Sequence, residues 1–172
     1  MEFTRLAKLT RTKPDSDDPV NPRTISIECI TKFKATIHLS NNSLALVWTP
    51  DGARLLSAGS YFDPTIREWD TSTWRRVGDP WRGHTDKINA LAVNSTGTLL
   101  ASTSSDKHVR LWRLSDRQTI AIFTTAVEVQ CVAFSIDGKR ILSGGQDKKI
   151  SEWVVPKHAL KDQVSEVCSH SC

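Results

Sequence analysis

Residues 83–113 read GHTDKINALAVNSTGTLLASTSSDKHVRLWR, and this stretch decides the fold. Ile88, Ala90 and Ala92 alternate with Asn89, Leu91 and Val93, the pattern of a strand with apolar residues on both faces. Thr96-Gly97 is a turn dipeptide between two apolar runs, so it predicts a hairpin into a second strand that starts at Leu99. A turn around Ser105-Asp106-Lys107 then leads into Val109-Arg110-Leu111-Trp112, and Thr119–Phe123 reads as a fourth strand. The unit is four short antiparallel strands with turn chemistry at each reversal.

The same unit recurs on either side. Leu46–Gly59 followed by Thr65–Asp70 aligns with it, as does Val132–Gly145 followed by Asp147–Trp153. The turn glycines Gly52, Gly97 and Gly138 are 45 and 41 residues apart, and Trp69, Trp112 and Trp153 are 43 and 41 apart. Asp63, Asp106 and Asp147 each precede their Trp by six residues. Three registers kept together at about 40–45 residues match the length of a four-stranded propeller blade. The predicted class is all-β: a partial β-propeller of about three four-stranded antiparallel blades, at approximately 38–80, 81–123 and 124–157.

On these residues the chain resembles the WD-repeat family of β-propellers. The middle repeat carries Gly83-His84 at its head and Leu111-Trp112-Arg113 near its end, and the first repeat has the literal Trp69-Asp70 pair. The resemblance spans about residues 24–157. It implies a hydrogen-bonded chain through Asp106, His84, a hydroxyl of Ser102, Thr103 or Ser104 (Ser102 foremost) and Trp112. It also implies that Gly52, Asp63, Trp69, Gly97, Gly138, Asp147 and Trp153 are framework. Indole N–H only donates, histidine does both and carboxylate accepts, so the chemistry suits such a chain.

Ser, His and Asp also constitute a hydrolytic triad. The scaffold reading is preferred because the set belongs to a repeated unit and decays in the others. Thr125 stands at the position of His84 in the third repeat, and Leu39, beside His38, in the first.

The family resemblance implies protein partners docking on the edge formed by strand-opening residues and the turn next to the Asp. Here those are Phe62, Lys87, Asn89, Ser105, Glu128, Gln130 and Gln146. Tyr61-Phe62-Asp63-Pro64 adds two residues to the first repeat's loop, making its tip a contact candidate. Trp74 and Trp81, around Arg75-Arg76, read as an outer strand packing on neighbours more than as a binding hot spot.

Other function classes find little support. The formal net charge of +4 comes from 23 basic and 19 acidic residues that are scattered, so no nucleic-acid partner is expected. Cys29, Cys131, Cys168 and Cys172 form no C-x-x-C pair, and Cys168-x-His170-x-Cys172 is too sparse for a metal site. Gly144-Gly145 lacks the surroundings of a phosphate loop. No metal, cofactor, catalysis or membrane span is expected. The N-terminus has no apolar secretory core, so the expected location is intracellular, cytoplasmic or nuclear.

At the ends, the polar, proline-containing residues 1–23 read as a flexible arm, 25–37 as a strand preceding the first repeat, and 158–172 as a tail with a short helix. Three blades leave the ring open. The expected role is therefore a scaffold or adaptor for other proteins, with self-association as one means of completing the ring. The alternative is a fragment or sensor piece of a larger propeller-containing signalling protein.

Overall fold

A computed structural model describes residues 7–11, 25–29, 33–37 and 45–161. Two compact units emerge, residues 1–43 and 44–172. In the first, β1 (Ala7–Arg11), β2 (Ile25–Cys29) and β3 (Phe33–Ile37) form an antiparallel sheet in that order. Ala7 pairs with Cys29 and Ile25 with Ile37. This corrects two readings. The stretch read as an arm contains a strand, because Ala7-Lys8-Leu9-Thr10-Arg11 alternates and its backbone groups find a ladder partner. The region 25–37 holds two strands instead of one, reversing between Cys29 and Phe33.

The second unit contains three antiparallel sheets. Blade 1 is β4 (Leu46–Trp48), β5 (Arg54–Ala58) and β6 (Ile66–Asp70). Blade 2 is β7 (Ile88–Val93), β8 (Leu99–Ser104), β9 (His108–Arg113) and β10 (Thr119–Thr124). Blade 3 is β11 (Val129–Phe134), β12 (Arg140–Gly145) and β13 (Ile150–Val154), followed by the short helix α1 (Lys157–Lys161).

Among the described residues only blade 2 is four-stranded, which corrects the expectation of four strands in each. In blade 1 the segment that would be the fourth strand touches β6 through two isolated bridges, Trp69 with Arg76 and Ile66 with Trp81. Gly78, at φ 64°, and Pro80 interrupt it, the first by bending the backbone and the second by lacking an N–H. In blade 3, Pro156 ends the extended run, and α1 turns Ala159 onto the core.

The hairpin turns share one backbone geometry. Gly52, Gly97 and Gly138 sit at φ 69°, 71° and 67°, a region that side chains with a Cβ rarely enter. Their N–H groups donate to Thr49, Asn94 and Ser135 carbonyls at 2.8–3.0 Å. In blades 1 and 3 the hydroxyls of Thr49 and Ser135 donate to Asp51 and Asp137 at 2.6 Å. In blade 2 the Asn94 amide oxygen accepts the Thr98 and Leu99 N–H groups instead.

The blades stack through two apolar layers. Between blades 1 and 2 lie Leu56, Ala58, Ile66, Trp81, Ile88, Leu100 and Trp112. Between blades 2 and 3 lie Leu99, Ala101, Val109, Leu111, Val129, Ile141, Val155 and Ala159. Blade 2 is thus covered on both faces, and every residue of β8 is buried. That double coverage explains the near-continuous apolar composition of its strands.

Candidate functional site

In blade 2, donor logic orders one chain of hydrogen bonds. The Trp112 indole N–H can only donate, and it reaches Ser102 Oγ at 2.8 Å. Ser102 then donates its own proton to His84 Nε2 at 2.7 Å. This places the remaining ring proton on His84 Nδ1, which donates to Asp106 Oδ2 at 2.7 Å. Asp106 also accepts the backbone N–H groups of Thr85 and His108 at 3.1 and 3.0 Å, tying the head of the repeat to the β8–β9 turn.

His84, Ser102 and Trp112 are buried. Burial holds the His84 pKa below its ordinary value against the pull of Asp106, so the imidazole is neutral at pH 7. Burial works in the opposite direction on Asp106, but the hydrogen bonds and the charge interaction at His84 together hold its carboxyl below the ordinary range. Each polar atom of the chain is engaged, and the serine hydroxyl sits at the N–H edge of the indole, sealed from solvent. A nucleophilic serine needs room for a substrate carbonyl, and this arrangement offers none.

The other blades keep a part of it. Trp69 Nε1 donates to Ser57 Oγ and Trp153 Nε1 to Ser143 Oγ, each at 2.9 Å. Sequence reading missed Ser57 and Ser143. The available signal was a serine ten residues before Trp112 and Trp153, and twelve before Trp69 because of the longer loop. The single hydroxyl proton of Thr125 is shared between the Lys107 and Val127 carbonyls, at 2.8 and 2.7 Å. Asp147 accepts the Lys149 N–H, and Asp63 pairs with Arg67. His38 and Leu39 lie outside the described residues.

The residues expected to face a partner meet in pairs within blades 2 and 3. The N–H groups of Ser105 and Gln146 donate to the Lys87 and Glu128 carbonyls, so in blades 2 and 3 the turn and the strand opening meet. Phe62 is 80% exposed and Tyr61 64%, their rings edge to face at 5.4 Å. Gln130 is exposed, and the Gln146 amide donates to Glu128 at 3.0 Å. Asn89 is committed elsewhere: its amide bridges Ser105 Oγ at 3.1 Å and the Val129 carbonyl at 2.9 Å, joining blade 2 to blade 3. Trp81 is buried 6.0 Å from Trp112, and Trp74 lies edge-on to Trp48, so both take part in packing.

This repeated sheet, turn glycine and Trp–Ser bond define a β-propeller blade of the WD type. The model of the family "WD domain, G-beta repeat" matches residues 27–70, 76–113 and 117–153, more than half of the chain, and the chain belongs to that family. Human pre-mRNA-processing factor 17 is 29% identical over 119 residues, covering 67% of this chain and 20% of that protein. The periodic tryptophan protein 2 homolog of Schizosaccharomyces pombe is 33% identical over 107 residues, covering 62% of this chain and 12% of that protein. A structure of U3-55K superposes with a TM-score of 0.59 at 25% identity, covering 68% of this chain and 38% of that one. The chain therefore spans well under half the length of each. No helix among the described residues is long and apolar enough to cross a membrane.

Proposed function

We propose that the chain is a non-catalytic interaction scaffold that holds a protein ligand on the edge carrying Phe62, Lys87, Gln130 and Gln146. The observation that carries the reading is a division of labour within each repeat. The polar atoms of the buried chain from Asp106 to Trp112 are consumed in holding the blade together. The adjacent positions differ from blade to blade: an exposed aromatic pair in blade 1, the half-buried Lys87 in blade 2, and the half-buried Glu128 with the exposed Gln130 and Gln146 in blade 3. A rigid frame with a variable rim suits recognition of a partner surface, and exposed aromatics are typical anchors in such contacts.

The test is affinity capture of the full chain from cells, compared with Phe62→Ala and Gln130→Ala. Both side chains are exposed, so the fold should be unchanged by circular dichroism. The expected result is a specific protein partner whose recovery falls several-fold with one or both substitutions, the scale of a lost interfacial anchor. Capture that both substitutions leave intact, or no specific partner, would overturn the reading.

A further inference from the structure

The loop between β5 and β6 is longer than its counterparts, and the extra length is spent at an exposed tip. Trp69 follows Ser57 by twelve residues, whereas Trp112 and Trp153 follow Ser102 and Ser143 by ten. The base of the loop is fixed. Gly59 N–H donates to the Thr65 carbonyl at 2.8 Å and Asp63 N–H to the Ser60 carbonyl at 3.1 Å. Ser60 and Thr65 are buried, and a Cβ at Gly59 would collide with the Asp63 carbonyl. The bond from Asp63 to Ser60 closes a turn whose two central residues are Tyr61 and Phe62. Both rings are exposed, and they meet edge to face at an interplanar angle of 87°. Rings held in place before contact lose little freedom on binding, so their apolar area converts into affinity with a small entropic loss.

Charge lies beside these rings. Asp63 follows Phe62 in the chain, accepts the Thr65 hydroxyl at 2.8 Å and pairs with Arg67. The antiparallel bridge between Ile66 and Trp81 brings Arg82 beside Thr65, and Arg82 is exposed. Burial alone would raise the Asp63 carboxyl. The hydrogen bonds of Thr65 and Arg67 and the charges of Arg67 and Arg82 together hold it below its ordinary value. One carboxylate therefore sits in the field of two guanidiniums, and the ground beside the aromatic tip is net positive. Arg67 is committed to its ion pair, whereas Arg82 acts on Asp63 through its charge and stays exposed.

We propose, resting on the scaffold role above, that this patch takes an acidic segment of the partner protein. An apolar side chain of the segment packs on Tyr61 and Phe62, and an Asp or Glu close to it in the segment is held by Arg82. A guanidinium offers two parallel donors to a planar carboxylate, so the contact sets direction as well as charge. Single-stranded RNA is the other polymer that uses aromatic rings with arginine, stacking successive bases on ring faces along a basic groove. Here the two rings stand nearly perpendicular, and the Asp63 carboxylate lies inside the cluster, where it would repel a phosphate chain. These two features favour a protein segment.

The experiment selects a phage-displayed library of random peptides against the full chain and measures the consensus peptide by fluorescence polarisation. The expected consensus places an Asp or Glu near a Leu, Phe, Trp or Pro. Phe62→Ala should weaken that peptide about tenfold, the loss of an interfacial anchor. Arg82→Gln should weaken it about threefold and Arg82→Glu about tenfold, the scale of one solvent-exposed charge contact first removed and then reversed. Selection repeated against Arg82→Glu should exchange the acid for Lys or Arg. Phe62 and Arg82 are exposed, so Phe62→Ala and Arg82→Gln should leave the urea midpoint unchanged. A consensus without an acid, no selected peptide, affinity indifferent to Arg82→Glu, or displacement of the peptide by a short oligouridine at equal concentration would each overturn the proposal. The peptide measurements decide the acidic specificity, and the cellular capture described above decides the scaffold role; an acid-free consensus that still weakens with Phe62→Ala would sink the first and leave the second standing.

Discussion

Replacing Ser102 with alanine should destabilise the chain far more than the same change at Ser143. In blade 2 the Ser102 hydroxyl serves two neighbours, accepting from Trp112 Nε1 and donating to His84 Nε2. Its removal strands a buried indole N–H and a buried imidazole nitrogen. An unsatisfied buried polar group costs roughly 1–3 kcal/mol, so the pair should cost about 2–6 kcal/mol. In blade 3 the Ser143 hydroxyl serves Trp153 Nε1, whose ring is only half-buried, and Thr125 does not extend the chain. Water can reach that indole once the serine is gone, and the loss should be about 1 kcal/mol. Urea unfolding of both variants, followed by tryptophan fluorescence, measures the difference through the midpoint at constant slope. Equal losses, or a Ser102→Ala cost under about 0.5 kcal/mol, would refute the idea that the blade 2 chain holds its repeat through satisfied buried donors.

Two further outcomes follow from the same geometry. Because burial depresses the His84 pKa below its ordinary 6.5, the unfolded chain takes up a proton more readily than the folded one; the stability contributed is complete above about pH 6.5 and is lost as pH falls toward the folded value. Asp106, also depressed, contributes stability that is present above about pH 3.8 and falls away below it. Between pH 7.5 and 5 only the His84 contribution changes, so urea midpoints over that range should drop in the wild type and much less in His84→Gln. Trp81→Ala removes a buried ring from the layer between blades 1 and 2 and should cost about 3–5 kcal/mol, whereas Trp74→Ala, half-buried against Trp48, should cost markedly less by the same unfolding assay.

Much of the architecture is legible along the chain because each repeat solves the same local problem with the same residue types. A glycine is needed where the backbone must reach positive φ, so Gly52, Gly97 and Gly138 mark the hairpins. Alternation marks the strands, and a fixed Asp-to-Trp distance marks the turn between the second and third. The fourth strands of blades 1 and 3 were harder to read. They depend on Gly78 with Pro80 and on Pro156, single residues whose effect on a ladder is decided by what the neighbouring strand offers. β1 was missed because the charged and proline-rich residues after it dominate the local composition. Asn89 has the look of a surface residue in one dimension, yet its partner Val129 lies forty positions away in the next blade.

The coverage of blade 2 on both sides has a consequence for how the stack comes apart. In a linear array each unit leans only on its neighbours, so its resistance to opening is its own stability plus whatever the adjoining contacts lend it. Among the described residues of the second unit, the outer sheets share one apolar layer each and the central sheet two. Thermal fraying therefore begins at the ends and works inward, and β8, sealed from water along its whole length, surrenders its amide protons last. The central repeat, which also keeps the fullest set of internal bonds, sets the lifetime of the folded stack.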